Sequence, residues 1–127
     1  MRDEQVRRYA RHILLPDLGG LGQTALMVAA AHLELREREP AAELIAASYL
    51  VAGGVGTLAI GGASEAQVAM LAAHGPDTRV EVANDGRPLV LAPTPAWWPQ
   101  APGDDLALAS WRGSLAAVRW MADVANR

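Results

Sequence analysis

Residues 49–58 read Tyr-Leu-Val-Ala-Gly-Gly-Val-Gly-Thr-Leu, and no other stretch restricts the fold as tightly. Ahead of it, Leu44, Ala47/Ser48 and Val51 recur at helical spacing, Pro40 suits a first helical position, and Gly53/Gly54 supply a C-terminal stop. Beyond the glycines, residues 57–60 are an apolar run of strand length that ends at Gly61/Gly62. A helix that passes through a glycine turn straight into a buried strand is the second half of a βαβ unit, whose crossover is right-handed. The first half is read at His32-Leu33-Glu34-Leu35, which alternates in polarity.

The remaining segments extend this pattern. Residues 3–15 read as a helix with Asp3 as N-cap and Glu4 in the first turn. Val6, Tyr9/Ala10 and Ile13 lie on one side, Arg7, Arg8 and Arg11 on the other, and Pro16 with Gly19/Gly20 ends it. Residues 23–31 are an alanine-rich helix. Ser64-x-x-Gln67 resembles a capping box opening a helix that stops at His74-Gly75-Pro76. Residues 79–83 alternate, with Val80 and Val82 on the buried face, and form a third strand. Asn84-Asp85-Gly86 is a strong turn signal, so residues 88–91 read as the antiparallel return of an edge hairpin. A contracted fourth parallel strand is the alternative, and it leaves no room for the usual crossover helix. Asp104 or Asp105 caps a final helix to residue 125, whose core seam is predicted as Leu108, Trp111, Leu115, Val118 and Ala122, with Gly113 and Ala117 allowing close helix approach.

The fold class is therefore α/β: a small three-layer Rossmann-like sandwich, its sheet mostly parallel, with helices on both faces and an antiparallel edge hairpin. Residues 1–22 form a helical arm, 23–92 the core, 93–103 a Pro/Trp loop and 104–127 the closing helix. At 127 residues this is one domain. A net charge of −3 gives no electrostatic case for nucleic acid. There is no cysteine, which removes disulfides, thiolate metal sites and a thiol nucleophile. No apolar run approaches the ~20 residues that span a bilayer, and the start Arg2-Asp3-Glu4-Gln5 does not read as a signal peptide. A cytoplasmic protein is expected. His32 reads as a strand-end histidine, since no second histidine or carboxylate sits at ligand spacing.

Two motifs carry a family resemblance. Arg8-Tyr9-x-Arg11-His12-Ile13-x-Leu15-Pro16, followed by Gly19-x-x-Gly22-Gln23, resembles the N-terminal signature of the ThiF/MoeB/HesA family, the bacterial relatives of ubiquitin-activating enzymes. Residues 49–58 resemble that family's Tyr-Leu-Ala-Ala-Ala-Gly-Val-Gly-Thr-Leu, and Pro76-Asp77-Thr78-Arg79-Val80-Glu81-Val82 is similar to its entry into the third strand. The resemblance covers residues 5–82, and it implies a contracted member. It also implies that Arg11 is presented across a dimer interface to the nucleotide phosphates of the other subunit. A guanidinium suits that task, being always charged, planar and able to bind two oxygens.

The family's chemistry does not follow. Where it has Gly-x-Gly-Gly-x-Gly, which lets backbone reach phosphate at a helix N-terminus, this chain has Arg36-Glu37-Arg38-Glu39-Pro40. No glycine is present, and two glutamates would repel phosphate. The strand ending Ala59-Ile60-Gly61-Gly62-Ala63 lacks the ribose-holding aspartate, and the run of Leu-x-Arg-Gln is missing. The catalytic lysine has no counterpart, because all eleven basic residues are arginine. The magnesium-binding aspartate has no match. The expectation is no ATP by that route, no cofactor, no metal and no catalytic residue.

Three functions follow. The first is a non-catalytic binding subunit, a pseudoenzyme that pairs with itself or with an active adenylating subunit, with Arg8, Tyr9 and Arg11 as interface candidates. The second is a standalone interaction module. Trp97-Trp98 stands among Pro93, Pro95, Pro99 and Pro102, either as a stiff lid folded on the sheet or as a hydrophobic anchor for a protein partner. The third, an enzyme of unrecognised chemistry, has no Ser/His/Asp spacing and no paired histidines behind it.

Overall fold

The computed structural model describes residues 1–15, 18–36, 40–83, 88–98 and 105–126. The Glu37/Glu39 loop, the Pro16 stop, the Asn84-Asp85-Gly86 turn and Asp104 lie outside the described residues. In chain order the elements are α1 (Asp3–Arg8), α2 (Ala10–Ile13), α3 (Gly19–Val28), β1 (Ala30–Glu34), α4 (Ala41–Ala52), β2 (Thr57–Gly61), α5 (Glu65–His74), β3 (Arg79–Glu81) and α6 (Asp105–Ala125).

The three strands form one parallel sheet in the order β1-β2-β3. The register sets Ala31 beside Leu58, Leu33 beside Ile60 and Leu58 beside Val80. Because side chains alternate along a strand, these residues share one face, and they join Leu50, Val51 and Leu71 in the hydrophobic core. Helices α4 and α5 are the crossovers that parallel pairing requires, α6 lies against α4, and α3 lies against α6. This is a small Rossmann-like α/β arrangement. The Ser64/Gln67 capping box forms reciprocally, at 3.1 and 2.9 Å. Among the described residues no helix is long and apolar enough to cross a membrane.

The structure departs from the sequence expectations at several points. The arm is two helices, broken at Tyr9 (φ −101°, ψ 18°). Arg2, not Asp3, is its N-cap. Its inward side chains are Gln5 and Tyr9, while Val6 is exposed, because the Gln5 amide and Tyr9 hydroxyl both reach an inner carboxylate. Gly19 and Gly20 open α3 instead of only ending the arm. β1 starts at Ala30, so His32 is mid-strand and buried.

The edge hairpin is overturned. Leu89 N–H donates to the His32 carbonyl at 2.6 Å. In the β1–β2 ladder the odd-numbered residues bond across, with Thr57 N–H to Ala29 and Leu35 N–H to Gly61, so the His32 carbonyl points to the other edge. Residues 88–91 therefore run beside β1, without strand pairing, and do not return along β3. The free edge of β1 draws them there, and Leu89 and Leu91 pack against the common core.

The predicted seam of α6 is also overturned. The face turned to α4 is Ala109, Gly113, Ala116, Ala117, Met121 and Val124. The helices approach so closely that a Cβ at Gly113 would stand 2.4 Å from the Ala42 carbonyl oxygen. Only small side chains fit that contact, as Gly113 and Ala117 suggested, so the large ones turn outward and Val118 is 52% exposed. Gly113→Ala should lower the urea midpoint and destabilise the fold by about 1–3 kcal/mol, through a clash with backbone that cannot give way; chemical denaturation checks it.

Candidate functional site

The arm is fastened to the core by one carboxylate. Asp77 lies in the loop before β3, and its side chain is almost wholly buried. Tyr9 Oη donates to Asp77 Oδ2 at 2.7 Å, Gln5 Nε2 to Oδ1 at 3.1 Å and Arg2 Nη2 to Oδ1 at 3.3 Å, and Arg8 Nη1 forms an ion pair with Oδ2. Burial alone would raise the Asp77 pKa, but the bonds from Tyr9, Gln5 and Arg8 and the charge of Arg8 outweigh it, and the carboxyl is held below its ordinary range. Tyr9 is 2% exposed. Burial pushes its hydroxyl up to about 12, and bonding to an anion adds to the rise.

A second fastening lies deeper. Gln23, fully buried, donates from Nε2 to the Gly53 carbonyl at 2.9 Å, while its Oε1 stands 3.0 Å from His12 Nδ1. Gly54 has φ +86°, and a Cβ there would lie 2.6 Å from Tyr9 Cζ. The motif around Arg8 and the motif around Gly53 thus meet in space. Two of the five candidates, Arg8 and Tyr9, face Asp77 of their own chain. Arg11 is exposed and makes no ion pair among the described residues. Leu14 and Leu15, which follow it closely in the chain, are exposed, and so are Leu21 and Val28 of α3, Leu21 by 90%.

Open parallel sheets hold ligands beyond the C-terminal ends of their strands, where neighbours depart to opposite sides. Here the end of β1 has β2 on one side and residues 88–91 on the other. A cavity of about 180 Å³ lies there, lined by Leu33, Glu34, Glu43, Arg36, Leu89 and Arg112 among others, below the ~300 Å³ at which small-molecule pockets begin. Glu43, in the first turn of α4 and only 4% exposed, accepts the Arg36 backbone N–H at 3.0 Å through Oε2. Arg36 also binds Glu34 (2.7 and 2.8 Å), and Arg112 Nε donates to the Ala92 carbonyl at 2.8 Å. Among the described residues no group of three or more His, Asp or Glu could hold a metal ion.

The tryptophans form a third feature. Trp97 and Trp98 pack with Trp111 of α6, with ring centroids 5.8–6.0 Å apart. Trp97 is 70% exposed, and Trp98 Nε1 is buried without a hydrogen-bond partner among the described residues. Sequence reasoning missed Asp77 and Glu43. Asp77 lies 68 residues from Tyr9, and no local pattern links them. Glu43 offers one signal, an acid in a first helical turn, where the dipole favours it.

Asp77→Asn should cost about 2–3 kcal/mol, the loss of charge-assisted bonds to a buried acceptor. The lowered native pKa means that the Asp77 contribution is whole above the unfolded value, near pH 4, and is lost as pH falls through the native value. Tyr9 runs the other way: its contribution is intact below its ordinary value of 10.0 and is lost as pH rises through about 12. Melting wild type and Asp77→Asn across pH should show a gap that narrows below about pH 4.

Compared with models of known protein families the chain matches none, and compared with curated proteins it matches none significantly.

Proposed function

We propose that this chain is a non-catalytic binding subunit built on the scaffold of an adenylating enzyme, pairing through its N-terminal arm with an adenylating partner or with itself. One observation carries the reading. The buried Glu43 carboxylate, on the Arg36 N–H at the head of α4, stands where folds of this kind place a phosphate. Glu43 already takes the Arg36 N–H that a phosphate would need, and the cavity, about 180 Å³, is smaller than small-molecule sites. The arm supports the second half of the proposal. Tyr9, Gln5 and Gln23 fasten it to the core, and Arg11 stands exposed there together with Leu14 and Leu15. An exposed apolar patch bordered by a cation suits a protein interface with an anionic partner group. The exposed Trp97 favours one further reading, an interaction module that uses the tryptophan cluster alone.

Titration of the whole chain with ATP and magnesium in a calorimeter should give no saturable heat. Micromolar binding would overturn the reading of Glu43. A photo-crosslinker placed at Leu21 should capture an ATP-consuming adenylating protein or a second copy, and Arg11→Ala should weaken that capture at least ~10-fold, the loss expected when a buried interfacial charge pair is broken. Capture that depends on Trp97 and ignores Arg11 would establish the module reading instead.

A further inference from the structure

We infer that the outward face of α6 is the docking surface for a second copy of this chain, the two helices packing antiparallel. Leu108, Trp111, Leu115, Val118 and Ala122 follow one another at steps of three and four residues, the repeat that lets two helices share an apolar seam. The fold does not use this seam for its core, because the small-residue face of α6 already covers α4. Val118 and Ala122 are exposed and Leu115 is half-buried. Trp97, set edge-on to Trp111 at 6.0 Å and itself exposed, widens the strip at its N-terminal end. Trp97 and Trp98 pack on Trp111 and residues 89–93 approach Leu115, so the open part of the seam is Val118 and Ala122, and exposed apolar residues aligned on one helix face mark an interaction site.

Charge selects the occupant. Asp105, Arg112 and Arg119 follow one flank of the seam at intervals of seven residues, the flank that forms ion pairs between paired helices. Asp105 and Arg119 make no ion pair among the described residues. When Trp111 is layered on Leu115 of an antiparallel second copy, Asp105 of each copy comes beside Arg119 of the other. One two-fold contact thereby forms the same pair twice, as self-complementary interfaces require. Arg112, at the centre, is turned onto the Ala92 carbonyl of its own chain. A parallel pairing matches no opposite charges along this flank. The surface is separate from Arg11 and α3, so the inference does not rest on the arm.

Sedimentation of the intact chain from micromolar to hundreds of micromolar should show a monomer–dimer equilibrium. Val118→Arg should leave a monomer with an unchanged circular dichroism spectrum, since the side chain it replaces is exposed. Arg119→Asp should weaken the dimer at least ~10-fold, and adding Asp105→Arg to it should restore the affinity to within ~3-fold, because attraction is rebuilt with the signs exchanged. Leu21→Arg, on the arm surface, should leave the dimer intact. A monomer at every concentration, a dimer that survives Val118→Arg, or a double variant that fails to recover would each overturn the inference. Binding to a different protein through Val118 without self-association would overturn it too.

Discussion

The missing side chains at Gly53 and Gly54 hold this molecule together. Three separate parts of the chain use the space they leave. Tyr9 of the arm sits where a Cβ of Gly54 would be, and Met121 Sδ of α6 stands 2.6 Å from the place a Cβ of Gly53 would take. Gln23 of α3 donates to the Gly53 carbonyl. Val55 follows at once, and its carbonyl accepts from Thr78 Oγ1 at 2.6 Å, one residue from Asp77. The end of one helix is thus the meeting point of the arm, α3, α6 and the loop into β3. Close packing of this kind tolerates little change of volume. The left-handed backbone at Gly54 adds a second reason why a side chain there would be strained.

Much of this order could be read from the sequence because it is local. Helix α4, its glycine stop, β2 and the α5 capping box follow from spacing over a few residues and form close to the expected bounds, while the third strand stops at Glu81, two residues short, and leaves Val82 exposed. What spacing could not give was direction. On α6 the large apolar residues do share one face, but the face turned inward was decided by α4, whose Ala42 and Ala46 backbone lies too near Gly113 for anything large. The hairpin failed for the same reason. Asn84-Asp85-Gly86 signals a turn, while the destination of residues 88–91 was set by the unpaired edge of β1, more than fifty residues earlier in the chain. Asp77 was invisible because all four of its partners lie in the arm.

The two fastenings of the arm differ in physical character. Around Asp77 the carboxylate collects donors from Arg2, Gln5, Arg8 and Tyr9, and its strength depends on charge and so on pH. Around Gln23 the bonds are made by a neutral amide that is fully buried, and they persist wherever the fold persists. The outer contact fixes the angle of α1. The inner one ties α2 to α3 and both to the end of α4. Together they tie the residues before and after Arg11 to the core, which matters for any role of Arg11. A guanidinium aimed from a rigid base loses less entropy on binding than one on a loose arm.

Helix α6 carries the last consequence of close packing. A helix buried on one face by glycine and alanine approaches its neighbour tightly but removes little apolar surface per residue from water. Its large residues, placed outward, then remain wet unless something covers them. Residues 97 and 98 cover part of the strip by packing edge-on and tilted against Trp111, and Leu89 and Leu91 approach its other side near Leu115. The stretch around Val118 and Ala122 stays open. Surface left uncovered by a packing constraint lies on one face, in register with the helix, with charged residues fixed along its border. That geometry is suited to a second helix of matching period, and the signs at Asp105 and Arg119 set the direction in which such a helix would run.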